Sequence, residues 1–552
     1  MSVYTRKNAW DANNGGQFQD ANGNYTDLYW YAKAVQTTQK RPINDPTSWW
    51  FYGAIHGQFL TNTIRVPKYL RWKNISYISP SADLDNLPSK GTRDLYWDQC
   101  QHGTWFFPPW HRGYLVSLEV MLRNVITQEL KGPEDWSLPY WNYLKNTPPY
   151  DQSKIPPAFL EKELPDGSAN PLLVPERYGP KGDGNIYVVI GPSTSVDDPQ
   201  ANDRCQVNTI YNELTPHPVN VPGNYYGNFY GGLNTGFNHG GNGFGDLEMN
   251  PHNFVHTFVG GRQKTTRESG LMAVPATAAL DPIFYLHHAN IDRMWAAWNV
   301  TGGNKNSELS KWLDGPVKEG SRKFAMPLDK AGSPWHYTPK DVQDTEKVNF
   351  NSSNYAYTYD DLSLISFLPI AVPSTEENFV ARLTKLGVAP PEDDQKLPDM
   401  PKINDELVGA NSGALVINNT DVSTSVQLET KSMENMVRGL KTASFSSQPD
   451  QVFLELEDVK GVDDANFLSV FINEKYVSSV SLFGLLLAST TDGPHGGSGL
   501  NYRFNITDLV DELHLDGSIN ANSLNVQIKA KDALNEDSPI TIGRVGIYRA
   551  GQ

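Results

Sequence analysis

The 552-residue chain carries 46 basic and 62 acidic side chains, a formal charge of −16 with histidine neutral, which disfavours nucleic acid and anionic membranes as partners. Its two cysteines, Cys100 and Cys205, exclude a disulfide framework. The length exceeds one ordinary domain core, so two or more domains are expected.

The chain opens at Met1 to Asn8 without an apolar signal-peptide core, which reads as cytoplasmic. Trp49, Tyr52 and His56 fall at helical spacing. Pro109 suits the first turn of a second helix. His111, Leu115, Leu118, Leu122 and Val125 then make one stripe, so His111 starts a core-facing helix. Val219 to Gly245, rich in Gly, Asn and aromatics, is a loop leading into the next histidines, either a surface excursion or a pocket rim. Asn250-Pro251 predicts a helix start with Asn as N-cap and Pro at the first position. Gly260-Gly261 ends that helix, and His252 and His256, four apart, share its face. After Asp281-Pro282, the residues Phe284, His288, Ile291, Trp295 and Trp298 form another stripe. Asp281 is placed to cap that helix, and Asp292, one turn beyond His288, to orient a ligand imidazole. Four helices with inward histidines describe a bundle around a metal centre.

Pro390 to Asp399 is an acidic, proline-rich linker. Beyond it Val452, Leu454 and Leu456, then Leu524, Val526, Ile528 and Ala530, alternate with polar residues, and Ile540 to Tyr548 reads as a further strand. One short helix is expected with Thr507 as its cap. The apolar run from Val480 to Ala488 is too short to span a bilayer and suits a core strand. The expected organisation is a mainly α catalytic domain over 1–360, a linker over 361–405 and an all-β sandwich over 406–552.

The chemistry lies in the histidines. His56, His102 and His111 form one set, and His252, His256 and His288 another, with no carboxylate at matching spacing. Neutral imidazole suits copper, zinc, iron and nickel. Two similar sets suggest two similar metals, each with an open position. His217, His239, His336, His495 and His514 read as ordinary polar residues, and Cys205 as inert.

The motifs around these histidines resemble the type 3 copper family of tyrosinases, catechol oxidases and molluscan-type haemocyanins. The resemblance covers residues 1 to about 360. It rests on His56-Gly57, Cys100-x-His102 with His111 following, His252-x-x-x-His256, and Asp281-Pro282-x-Phe284-x-x-His287-His288-x-x-x-Asp292-Arg293. Tyr357-Thr358-Tyr359-Asp360 is similar to the motif closing the family's catalytic domain, and the C-terminal part resembles the β-sandwich covering the site in proenzymes. The resemblance implies two copper ions, dioxygen as co-substrate, and small phenols and catechols as substrates. The first copper would take His56, His102 and His111, and the second His252, His256 and His288, leaving His287 structural or supporting. Cys100 would be joined to the His102 ring by a thioether. Glu248 and Asn253 would hold a water that accepts the phenol proton. Thr257 and Val274-Pro275-Ala276 are candidates for the pocket entrance, and Phe483 or Leu485 for an apolar plug. The implied activity is ortho-hydroxylation of monophenols and oxidation of diphenols to o-quinones, latent until the covering domain is displaced. A catechol oxidase, an oxygen carrier and a dinuclear zinc hydrolase are the alternatives.

Overall fold

A computed structural model describes residues 3–61, 66–145, 151–179, 182–186, 231, 243–245, 247–300, 306–316, 323–363, 381–388, 404–443, 450–491, 497–517, 523–534 and 538–551. Cys205, His217, His239, His495, most of Val219 to Gly245 and the linker core at Pro390 to Asp399 lie outside these residues. The chain divides into two compact units. One comprises Met1–Val188, Asn234–Gly241 and Leu247–Leu368; the other comprises Val189–Leu233, Asn242–Asp246 and Pro369–Gln552.

The first unit is helical. It contains β1 (Tyr4–Arg6), α1 (Asp27–Gln39), α2 (Trp49–His56), α3 (Phe107–Asn124), α4 (Phe254–Gly260), α5 (Ile283–Val300) and β2 (Tyr357–Tyr359). Ser48 caps α2 by accepting the Phe51 N–H, and all eight residues of that helix are buried. Pro108 and Pro109 open α3, where a missing N–H costs nothing. The helical backbone leading into α4 begins at Asn250-Pro251 as predicted: Asn250 alone is extended (φ −149°, ψ 120°), as an N-cap residue before a proline is, and Pro251 to Asn253 carry His252 into α4, although Asn250 Oδ1 meets no hydrogen-bonding partner among the described residues. Gly261, at φ 59°, ends α4 as expected. The Asp281 carboxylate accepts the Ile283 N–H at 2.9 Å at the head of α5.

Asp292 does not orient a histidine, contrary to the expectation from its spacing. It lies in a buried knot, accepting from Arg112 Nε (2.5 Å), Arg6 Nη1 (3.0 Å) and the hydroxyls of Tyr357 (2.6 Å) and Tyr359 (2.5 Å). Burial pushes this carboxyl up, but Arg112 and Arg6 outweigh it and hold it below the usual carboxylate range. Arg6 also donates to Glu119 at 2.6 Å, and β1 pairs in parallel with β2. The N-terminal strand and the Tyr-x-Tyr strand are thus pinned to α3 and α5 beneath the histidines.

The second unit is built on antiparallel β3 (Asn404–Ala410), β4 (Asp421–Leu428), β5 (Gln451–Val459), β6 (Phe467–Ile472), β7 (Lys475–Ser481), β8 (Leu500–Asn505), β9 (Ser523–Ala530) and β10 (Arg544–Gly551). They form one sheet in the order β7-β6-β9-β4-β3-β10-β5-β8. The Tyr502 hydroxyl on edge strand β8 donates to the Ser481 carbonyl on the other edge at 2.8 Å. The sheet therefore curls enough to bring its two edges together at this point, without a backbone ladder between them. Leu524, Val526, Ile528 and Ala530 point into its core as their alternation predicts.

Three local expectations change in this unit. Thr507 is the first residue of a helix over Thr507–Leu515, not its cap, and its hydroxyl accepts the Val452 N–H at 3.0 Å. A helix over Thr430–Lys441 has no counterpart in the sequence reading. The run from Val480 to Ala488 is a strand only as far as Ser481; a left-handed Gly484 then turns the chain into a helix over Leu485–Ser489. Within the segment read as linker, Arg382 donates to both Asp511 oxygens (2.7 and 3.0 Å), and Leu383 is buried. Among the described residues no helix is long and apolar enough to cross a membrane.

Candidate dinuclear metal centre

All six predicted ligands come together, buried, in the helical unit. His56, Cys100, His102 and His111 offer ligand atoms within 4.8 Å of one another, and so do His252, His256, His287 and His288. The two groups touch: the His111 and His288 rings stack at 4.3 Å and 9°. His336 and His514 belong to neither group.

Backbone carbonyls fix three of the six rings. Nδ1–H of His56 donates to the Pro275 carbonyl, that of His111 to Phe107 and that of His256 to Met272, each at 2.8 Å. His252 donates to Asn253 Oδ1, also at 2.8 Å. An imidazole with its proton held at Nδ1 presents the Nε2 lone pair to a metal. In the second group His252 Nε2 lies 3.1 Å from His256 Nε2 and 3.3 Å from His288 Nε2. Nitrogens bound at about 2.0–2.1 Å to one tetrahedral ion stand about 3.3 Å apart, so this spacing suits a single first-row metal.

Burial supplies the right protonation state. It lowers the His56 pKa to about 4 and takes His252, His256 and His288 well below their ordinary value, with neighbouring imidazoles adding to the shift. These four rings are neutral at pH 7, as metal ligation requires.

The segment after α4 serves both groups at once. Met272 and Pro275 each lend a carbonyl to a histidine of a different group, and Val274, Pro275 and Ala276 are all buried. Gly57, directly after His56, makes this approach possible, since a Cβ there would come within 3.0 Å of Ala276 Cα. Thr257, one residue past His256, is buried as well.

Cys100 Sγ lies 3.6 Å from both Nδ1 and Nε2 of His102 and 3.3 Å from His111 Nε2. Burial pushes the thiol pKa well up, with Glu248 adding to it, so the sulfur is a neutral thiol rather than a thiolate. Glu248 is fully buried. Both its oxygens accept the Gly103 N–H, at 2.8 and 2.9 Å, next to His102. Burial raises its pKa well above the ordinary value, against the opposing Gly103 hydrogen bond.

Sequence reasoning missed the carbonyl acceptors at Phe107, Met272 and Pro275, for which no side-chain signal exists. It gave His287 a structural or supporting role, and the structure sets its ligand atom within 4.8 Å of those of His252, His256 and His288. Its adjacency to His288 was the available signal.

Two touching groups of buried, neutral imidazoles with no carboxylate donor define a dinuclear centre of the type 3 copper class. The chain belongs to the tyrosinase family: it is 30% identical over 539 residues to tyrosinase HcTyr1 of Hahella sp., covering 94% of this chain and 96% of that one. The family model described as the common central domain of tyrosinase matches residues 46–301, and a domain of unknown function (DUF7868) matches 404–550. Catechol oxidase B of Solanum tuberosum is 30% identical over 257 residues, 45% of this chain and 38% of that one. The fold is shared with latent apple tyrosinase (TM-score 0.55, 18% identity, covering 100% of this chain and 98% of that one). It is also shared with a latent aurone synthase (TM-score 0.56, 17% identity, 100% and 90%). The protein is therefore an oxidoreductase of the tyrosinase and polyphenol oxidase family, whose members carry a dinuclear copper centre and act on phenols.

Proposed function

We propose that this chain is a latent tyrosinase that hydroxylates monophenols at the ortho position and oxidises o-diphenols to o-quinones. His56, His102 and His111 would hold one copper, and His252, His256 and His288 the other. Bound copper supplies dioxygen activation at this site. The observation that carries the monophenol reading is the buried Glu248 carboxylate beside the His102 loop.

A phenol, with a pKa of about 10, is ionised to only about one part in a thousand at pH 7, a deficit of about 4 kcal/mol. A carboxylate whose basicity is raised by burial is a better proton acceptor than an exposed one. Glu248, with Asn253, holds the water that takes the phenol proton. Asn253 also fixes the His252 ring, so the two tasks meet at one residue. Thr257, Val274, Pro275 and Ala276 shape the way in.

Cys100 closes a thioether to His102, losing its S–H and a ring C–H in a two-electron oxidation whose electrons and protons dioxygen would take up as hydrogen peroxide. The sulfur stands 3.6 Å from each ring nitrogen, within reach of the ring. The β unit shields the centre, a role supported by the shared fold of two proteins described as latent. Phe483 or Leu485, in the apolar run of that unit, would serve as the plug.

Glu248→Gln keeps an acceptor for Gly103 but cannot take a proton. Monophenol hydroxylation should fall about 100-fold and catechol oxidation far less. Equal losses on the two substrates would remove the proton-accepting role. A copper-loaded wild-type chain that turns over catechol but no monophenol would be a catechol oxidase.

A further inference from the structure

His287 is fully buried, yet neither of its ring nitrogens meets a hydrogen-bonding group among the described residues. A buried donor or acceptor left unsatisfied costs about 1–3 kcal/mol, and a neutral imidazole carries one of each. A leucine or phenylalanine would fill the same space without that cost. Carbonyls hold the rings of His56, His111 and His256, whereas His287 has no such acceptor among the described residues.

Around the ring stand Tyr143, at 5.6 Å, and the second metal group itself. His287 stacks on His252 at 5.3 Å and 21°, and meets His256 edge-on at 5.0 Å and 87°. Its ligand atom lies within 4.8 Å of those of His252, His256 and His288. The second group therefore offers four imidazoles where the first offers three and a thiol.

We propose that His287 is a fourth nitrogen donor for the second copper, held in reserve while that site is only partly assembled. A buried site must take its ion from solvent one ligand at a time. A donor within reach of all three ligands keeps the ion bound before the final set closes, and in any chain where one ligand is lost. In the complete site His252, His256 and His288 hold the ion, and His287 stands aside. The inference rests on the reading that the second group binds copper.

The test is copper per chain after anaerobic loading with Cu(I) and dialysis against a weak chelator, with folding followed by circular dichroism. Wild-type chain should retain two coppers. His288→Ala should still retain close to two, and the double variant His287→Phe/His288→Ala only one. Should either substitution at 288 fail to fold, the same comparison on His252→Ala decides. In His287→Phe alone, the chelator should strip the second copper about tenfold faster. His288→Ala retaining one copper, as the double variant does, overturns the inference, as does an unchanged stripping rate in His287→Phe. A wild-type chain with no copper in the second group would sink the copper reading itself, a result distinct from either.

Discussion

At the scale of single residues, the centre depends on groups that are costly to bury and are compensated by particular partners. Asp292 balances Arg6 and Arg112 in a site from which water is excluded. Removing one partner of such a set leaves an uncompensated buried charge, which costs about 3–5 kcal/mol. Asp292→Ala should therefore lower the unfolding free energy read from a urea titration by that amount, and a loss below about 1 kcal/mol, the range of exposed pairs, would show that the knot is not a support. This knot was half legible. The spacing in Asp292-Arg293 and Tyr357-x-Tyr359 marked the residues. Their partner Arg6 lies 286 positions from Asp292, and no local pattern encodes such a contact. The gathering of the six histidines into two groups was legible because helical phase and motif agreed. The carbonyls that aim them were not, because every residue has one.

At the scale of elements, α2, α3 and α5 follow from apolar stripes and caps that the sequence displays. The start of the α4 segment follows as well, because an N-cap residue that precedes a proline is locally disposed to the extended conformation Asn250 adopts. The strands of the second unit were readable from alternation, whereas their order was not: β3 pairs with β10 and β4 with β9, across more than a hundred residues. The approach of α2 to the segment after α4 is the element-level contact on which the first group depends. Gly57→Ala adds a methyl against Ala276, and overpacking of this kind costs about 1–3 kcal/mol. The shift would draw the Pro275 carbonyl away from His56. Dialysed Gly57→Ala chain should lose copper from the first group before the second. Full retention with an unchanged melting temperature would mean the segment yields without disturbing His56.

At the scale of the whole molecule, the buried imidazoles set how stability depends on pH. His56 titrates near 4 in the folded chain and near 6.5 when unfolded. His252, His256, His287 and His288 are lowered in the same direction by burial. Unfolding therefore takes up protons below about pH 6.5. Stability is complete above that value and is lost as the pH falls toward 4, by roughly 3 kcal/mol from His56 alone. The urea midpoint of copper-free chain should drop steeply between pH 7 and 5. A flat midpoint across that window would mean the rings are already charged or solvated.

The central claim, that a type 3 copper phenol oxidase is restrained by its own β unit, is tested most directly by oxygen consumption of copper-loaded chain with a monophenol and with a catechol, before and after limited proteolysis between residues 390 and 398. The account predicts slow turnover of both substrates by the intact chain and a marked rise on both after the cut. Equal rates before and after would contradict the shielding role, and no turnover of either substrate in either form would contradict the phenol oxidase.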